Sequence, residues 1–140
     1  MEMDDEVLGA MSIPLSGEKL VEVSFDMNIV AHFGQERQFR LRIMEEEFAI
    51  VDQRTSARVA VQYAAWNEPP SNSSGISDIV MLLNRSVVRS VVEDGLFTIS
   101  FDNEQDIQIR PTRPYEVWSL ETPSETYFCL PDGKVAVFPT

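Results

Sequence analysis

The chain has 140 residues, 23 of them acidic and 11 basic, which gives a formal charge of −12 at pH 7. This charge disfavours nucleic acid and anionic membranes as partners, because both are bound through lysine and arginine, whereas it favours basic proteins. With 44% hydrophobic residues, the chain can form one domain with its own core.

Residues 1–12 predict an acidic lead-in rather than a signal peptide. Acidic side chains stand at Glu2, Asp4, Asp5 and Glu6, where a signal peptide has basic ones, and no long apolar stretch follows. No apolar run reaches the length of a membrane-spanning helix. We therefore expect a single β-rich domain over 13–140, located in the cytoplasm.

The next segments have apolar side chains at every second position, as half-buried strands do. Three strands are predicted at 19–25, 28–33 and 38–44, joined by turns rich in Asp, Asn and Gly. A hairpin of two more strands is predicted at 47–51 and 58–64.

A polar loop and a short helix separate the two halves of the chain. Residues 68–75 are rich in proline, serine and glycine, and Ser77 is the expected N-cap of a helix that ends near Asn84. Six further strands are predicted at 87–92, 96–101, 106–110, 115–120, 126–130 and 134–138.

The strands after the helix repeat those before it. When Val21 is aligned with Val88 and one extra residue is allowed at a turn, Phe33 falls on Phe101. The same alignment matches Phe39 with Ile107, Leu41 with Ile109 and Arg42 with Arg110, and the closing strand 134–137 resembles 58–61. We predict a mainly β fold on the border with α+β, in which two duplicated antiparallel β-meander units, about 13–66 and 77–140, are joined by one short helix.

The matched strands should have the same order and direction, with their inward side chains forming the core. The expected core residues are Val23, Phe25, Phe39, Leu41, Ile43, Val61, Leu82, Ile99, Phe101, Ile107, Ile109, Trp118, Phe128 and Val137. Cys129, the only cysteine, excludes an intrachain disulfide and is expected to be buried.

Three phrases of the sequence resemble a family of small bacterial proteins of unknown function. They are Pro14–Leu20, the Tyr-Glu-x-Trp-x-Leu strand at 115–120, and the closing hairpin at 131–137. The hairpin departs from the family pattern at Asp132, and the strand after it departs at Phe138. The resemblance implies a shared fold and a cytoplasmic location, and it brings no functional residues.

No catalytic residues, cofactor loop or metal site are predicted. Asp102–Asp106 resembles the start of a calcium loop, but Ile107 and Arg113 stand where that loop needs glycine and glutamate. A single histidine and a single cysteine cannot supply a zinc site without added carboxylates. A Ser-His-Asp arrangement around His32, with Ser24 or Ser100, lacks a nucleophile elbow.

The candidate partner-binding residues are acidic, with one tryptophan. Glu45, Glu46 and Glu47 form the densest acidic run outside the N-terminus, and mutual repulsion is expected to keep all three in solvent until a partner neutralises them. Asp102, Glu104 and Asp106 form a second group, and Trp66, beside the polar loop, is a candidate anchor.

The favoured hypothesis is a non-catalytic acidic binding protein, such as an inhibitor of the immunity type that neutralises a basic toxin or nuclease. A protein that must capture a cationic enzyme quickly benefits from an acidic surface. The alternative is a self-associating β-domain, for example a homodimer, or one that binds a small ligand between its sheets. An enzyme that uses carboxylates alone is a third interpretation.

Overall fold

A computed structural model describes residues 10–25, 27–45, 47–63, 75–111 and 117–139. Twelve strands and one short helix are described in this part of the chain. They are β1 (Ala10–Ser12), β2 (Leu20–Phe25), β3 (Ile29–Phe33), β4 (Phe39–Ile43), β5 (Glu47–Asp52), β6 (Arg58–Gln62), α1 (Ile76–Val80), β7 (Val87–Glu93), β8 (Leu96–Phe101), β9 (Gln105–Ile109), β10 (Trp118–Glu121), β11 (Glu125–Cys129) and β12 (Val135–Pro139).

The strands form two six-stranded antiparallel sheets with one core between them. The strand orders are β1-β7-β8-β9-β5-β6 in the first sheet and β12-β11-β10-β4-β3-β2 in the second. Aromatic rings meet across the interface, with the ring centroids of Phe97 on β8 and Trp118 on β10 4.3 Å apart. The mainly β prediction with one short helix is confirmed, and among the strands in the described residues it missed β1.

Each meander is completed by strands from the other half of the chain. The β2-β3-β4 and β7-β8-β9 meanders have the same order and direction, as predicted. The hairpin β5-β6 follows the first meander but pairs with β9 of the second. In the same way, β10 follows the second meander but pairs with β4 of the first. The two repeats are therefore interlocked.

An approximate two-fold axis passes through the β-bridge between Lys19 and Ser86. Two pairs of symmetry-equivalent backbone hydrogen bonds surround this bridge. In the first pair, Gly17 N donates to Val87 O and Asn84 N donates to Leu20 O, both at 2.7 Å. In the second pair, Val87 N donates to Glu18 O (2.8 Å) and Leu20 N donates to Arg85 O (3.0 Å). The equivalent rings of Phe33 and Phe101 stack next to each other, with centroids 6.4 Å apart. Equivalent bulges follow Leu20 and Val87. The symmetry confirms the duplication.

The predicted match of the third strands is wrong by two residues. Phe33 pairs with Phe39 across the turn of the first copy. The corresponding turn of the second copy is shorter, because Ser100 pairs with Asp106. Leu41 therefore corresponds to Ile107 instead of Ile109, and the proposed equivalences of Phe39 with Ile107 and Arg42 with Arg110 fail likewise. A shift of two residues leaves the same side chains facing inward, which is why the pattern looked correct.

The resemblance between 134–137 and 58–61 does not reflect equivalent strands. β6 is the second strand beyond β9, and its counterpart is β11, the second strand beyond β4. Val61 and Cys129 occupy equivalent buried positions. Val61 pairs with Phe48 on β5, and Cys129 lies beside Trp118, which has the matching place on β10. β12 is an edge strand, and the described residues of the first half contain no equivalent of it.

Most of the expected core is buried. The confirmed residues are Leu41, Ile43, Val61, Leu82, Ile99, Phe101, Ile107, Ile109, Trp118 and Cys129. Val23 and Phe39 are half-buried against this core. The prediction of burial is wrong for Phe25 and Val137. Their side chains are 38% and 37% exposed because they lie on the edge strands β2 and β12. Phe128 is only half-buried because it lies on the outer face of its sheet, where it contacts Phe138.

The helix begins two residues earlier than expected, and Ser77 is not its N-cap. The N-cap is Gly75, which has a φ of 71° and lies against strand β6. A side chain at this position would collide with the carbonyl oxygen of Ala60. Close approach of two backbones, rather than side-chain capping, therefore determines where α1 starts.

We expect Gly75→Ala to destabilise the fold more than Gly17→Ala does. Both glycines have a positive φ, so alanine costs about 1 kcal/mol at either site from backbone conformation alone. Only Gly75 adds a steric clash, since no atom lies within 4 Å of a Cβ built on Gly17. Urea denaturation measures both free energies of unfolding, and equal losses would contradict the packing of Gly75 on β6.

Replacing Phe101 by alanine should lower the free energy of unfolding by about 3–5 kcal/mol, because a fully buried ring is lost and a cavity remains. The matched control is Phe138→Ala, where the ring is 53% exposed and the expected loss is below about 1 kcal/mol. Similar losses in the two variants would mean that Phe101 is not at the centre of the core.

Candidate functional site

The first predicted acidic group does not form a solvated cluster. Glu45 is buried, with 8% of its surface exposed, so the expectation that all three carboxylates stand in solvent is wrong at this position. Glu47 is exposed and accepts a hydrogen bond of 3.0 Å from Nε2 of Gln62. Glu46 lies outside the described residues. Glu45 and Glu47 line a groove of about 530 Å³ that also contains Arg58 and Arg110.

In the second predicted acidic group, Asp102 and Glu104 are paired with arginines of the same chain. Arg85 lies 4.0 Å from Asp102, and Arg54 lies 3.5 Å from Glu104. Asp106 is buried and accepts a hydrogen bond of 2.5 Å from Gln53. The groove beside Asp102 and Glu104, of about 420 Å³, is lined by both arginines. It offers little net negative charge to a partner.

The two acidic groups lie at opposite ends of the first sheet. Asp106 pairs with Val51, near the end of β5, whereas Glu47 begins that strand. Four residues of extended chain separate the two positions by about 13 Å. They cannot act together on one side chain of a partner.

Trp66, the remaining candidate from the sequence, lies outside the described residues. Trp118 is fully buried, as expected of a core residue. Within the described ranges, no group of three or more histidine, cysteine, aspartate or glutamate residues could hold a metal ion. Over the same ranges, no helix is long and apolar enough to span a membrane.

A serine and the histidine do meet on the outer face of the second sheet. Ser24 Oγ lies 3.4 Å from His32 Nε2, and Glu22 is paired with His32 across β2 and β3. The carboxylate of Glu22, however, forms an ion pair with Arg37. Desolvation is the main cause that lowers the pKa of His32, with Glu22 opposing it. The contact between Ser24 and His32 is long for a hydrogen bond, and the Glu22 carboxylate is already paired with an arginine. Both features distinguish these three residues from a catalytic triad.

A third groove combines carboxylates with aromatic side chains, and none of the described residues that line it is basic. We call it the acidic groove; it has a volume of about 670 Å³. Its lining residues are Ser12, Ile13, Pro14, Ser16, Glu18, Phe39, Thr122, Pro123, Ser124, Glu125 and Tyr127. Glu18 and Glu125 form no ion pair with any residue in the described part of the chain. Of the three grooves, only this one has carboxylates without a neighbouring arginine.

One wall of the acidic groove is the turn between β10 and β11, which Thr122 organises. The Thr122 hydroxyl donates to the carbonyl of Glu125 (2.9 Å) and accepts from the Glu125 amide (3.0 Å). The hydroxyl of Tyr127 then donates to Glu125 Oε1 at 2.7 Å. The Glu125 carboxylate is therefore held in one place before any partner arrives.

Burial, and then the hydrogen bond to Glu125, raise the pKa of Tyr127 to about 12. The phenol consequently remains a neutral donor to the carboxylate at physiological pH. Its ring and that of Phe39 are the aromatic side chains of the groove.

The opposite wall is anchored to β7 and to the two-fold axis. Ser90 donates a buried hydrogen bond of 2.5 Å to the carbonyl of Ile13, whose amide donates to Ser90 O at 3.0 Å. The Glu18 amide donates to Leu15 O (3.0 Å), and the Glu18 carbonyl accepts from Val87 N (2.8 Å). The backbone of Glu18 is thus held by hydrogen bonds on both sides.

Sequence reasoning missed this groove because its walls are more than 100 residues apart in the chain. Isolated glutamates at positions 18 and 125 do not differ from solvated surface residues in a linear pattern. Acidic runs such as 45–47 attracted the prediction instead, although three-dimensional packing buries or neutralises most of them.

A search of curated proteins and a search of solved structures each returned no match to the chain. A family model does match, over residues 11–139, which is nearly the whole chain and includes every strand from β2 to β12. The chain belongs to the family of unknown function DUF6188.

Proposed function

We propose that this chain is a non-catalytic binding protein that captures a basic partner protein and receives a lysine or arginine of that partner in the acidic groove. The observation that carries this proposal is the lining of the groove, in which Glu18 and Glu125 occur and no described residue is basic. The partner class that fits best is a basic toxin or nuclease, neutralised in the cytoplasm in the manner of an immunity protein.

Two ranges of electrostatic attraction contribute to the capture. The net charge of −12 attracts a cationic protein over distances comparable to the Debye length, about 8–10 Å at physiological salt, and so raises the association rate. This long-range attraction does not select an orientation. Selection requires carboxylates that are not already engaged by the protein's own arginines.

The acidic groove provides the short-range part. A guanidinium or ammonium group that enters it exchanges water for the two carboxylates, and the half-buried ring of Phe39 offers a face for cation–π contact. Because Tyr127 holds the Glu125 carboxylate in advance and Thr122 fixes the Glu125 backbone, the Glu125 side chain loses little entropy on binding. An immunity-type inhibitor needs this combination of rapid encounter and slow dissociation.

The test compares two double variants that both change the net charge from −12 to −10. Glu18→Gln with Glu125→Gln removes the groove carboxylates, and Glu47→Gln with Glu104→Gln is the matched control. The groove variant should weaken binding by about 2–5 kcal/mol, because a partner cation is left without its carboxylate. The control should alter mainly the association rate, by less than about threefold.

The measurement is a biosensor titration, at two salt concentrations, against candidate basic proteins taken from the genes adjacent to that of this chain. Equal losses in the two variants would show that net charge alone drives the association and that the groove is not the site. Absence of binding to any basic neighbour would contradict the proposed function itself.

The geometry of the groove can be checked without a partner through the ionisation of Tyr127. Glu125→Gln should lower the pKa of Tyr127 from about 12 toward its usual value of 10.0, since a neighbouring carboxylate opposes a phenolate. The raised pKa stabilises the fold fully below pH 10, and this contribution is lost as pH rises through about 12. Ultraviolet absorbance titration follows the phenol, and an unchanged curve would exclude the Tyr127–Glu125 contact in solution.

A further inference from the structure

The edges of the two sheets are protected to different degrees. An exposed edge strand presents unpaired backbone groups that can pair with another chain. β1 is only three residues long, and the N-terminal end of β2 is bonded to 84–87. The carbonyl of Ala60 on β6 lies against Gly75. β12, in contrast, offers five residues, and no described segment covers its outer edge.

β12 is also unusually apolar for an edge. Val135, Ala136, Val137 and Phe138 follow one another without a charged residue, and Phe138 and Val137 are 53% and 37% exposed. Phe138 contacts Phe128 on the outer face, with ring centroids 5.7 Å apart and ring planes inclined at 59°. The charged residues, inward bulges and short length that usually blunt an edge are missing between Lys134 and Pro139.

The hydrogen-bond pattern identifies which backbone groups of β12 point outward. Leu130 N donates to Lys134 O at 2.7 Å, so residues 134, 136 and 138 direct their backbone groups toward β11. Val135 and Val137 therefore direct an amide and a carbonyl each to the outside. Pro139 is the next outward residue, and it has no amide to offer.

We propose that β12 pairs antiparallel with β12 of a second copy of this chain, which joins two six-stranded sheets into one continuous twelve-stranded sheet. The two-fold axis passes beside Ala136. In this register, Val135 of each copy forms backbone hydrogen bonds with Val137 of the other copy. Both outward amides of each copy therefore donate to a carbonyl. A register centred on Val137 is inferior, because it places Pro139 opposite the carbonyl of Val135.

Charge supports a second copy as the occupant. Two molecules of charge −12 repel each other over most of their surface, and they can approach most closely where carboxylates are absent. Residues 133–139 contain one lysine and no acidic residue. The register also sets Lys134 of one copy opposite Phe138 of the other on the outer face, where its aliphatic stem can cover the exposed ring.

Cysteine cross-linking tests the register directly. Ala136→Cys places two thiols across the two-fold axis at a Cα separation of about 4.5 Å, within the range of a disulfide. The matched control is Phe138→Cys, on the same face of the same strand, where the two thiols are about 13 Å apart. Native Cys129 is fully buried and does not compete. Mild oxidation should give a covalent dimer of the first variant and not of the second.

Sedimentation velocity from about 5 to 500 μM tests whether the dimer forms without a cross-link. One strand pair is a small interface, so the two copies should associate in the micromolar range.

Val137→Pro removes an outward amide and leaves the bonds between β11 and β12 intact. It should reduce dimerisation at least tenfold with little change in thermal unfolding. A protein that stays monomeric throughout, or a Val137→Pro variant that dimerises normally, would overturn the proposal, as would cross-linking of Phe138→Cys alone.

Discussion

The antiparallel pairing of residues 17–20 with 84–87 is the constraint on which the rest of this structure depends. These two segments precede the two meanders, and four hydrogen bonds hold them together about the two-fold axis. The pairing sets β2 and β7 in opposite directions and brings Phe33 and Phe101 into contact. It also immobilises the backbone of Glu18. One symmetric contact therefore positions the meanders, the centre of the core and one wall of the acidic groove.

Interlocking of the repeats follows from this arrangement and has consequences for folding. The third strand of each meander obtains its outer neighbour from the opposite half, through β5 on β9 and β10 on β4. Such pairings join residues far apart in the chain, which raises contact order and slows folding. They also bury the strand edge that a separate meander would expose. Duplication thus produces one cooperative sandwich instead of two independent units.

Charge is distributed differently from what its total suggests. A net charge of −12 suggests a uniformly acidic surface. Within the described residues, however, arginines form ion pairs with five of the carboxylates, those of Glu22, Asp52, Asp102, Glu104 and Glu121. Exposed pairs of this kind contribute little to stability. Their effect is to cancel local potential, which concentrates uncompensated negative charge at a few places, the acidic groove among them. The proposed binding of a basic partner would then depend on which carboxylates are unpaired, more than on how many there are.

The sequence by itself determined the strands and the duplication, because alternation of apolar residues is a local property that survives in any sheet order. It placed β8 at its observed limits and matched Phe33 with Phe101. It could not determine the register of the third strands, since a slip of two residues keeps Leu41 and Ile107 facing inward. Only the tertiary structure decided that Glu45 is buried, that Asp102 meets Arg85, and that Glu18 lies near Glu125. Burial and ion pairing between distant residues depend on the crossing of the two halves, and a linear pattern carries no information about that crossing.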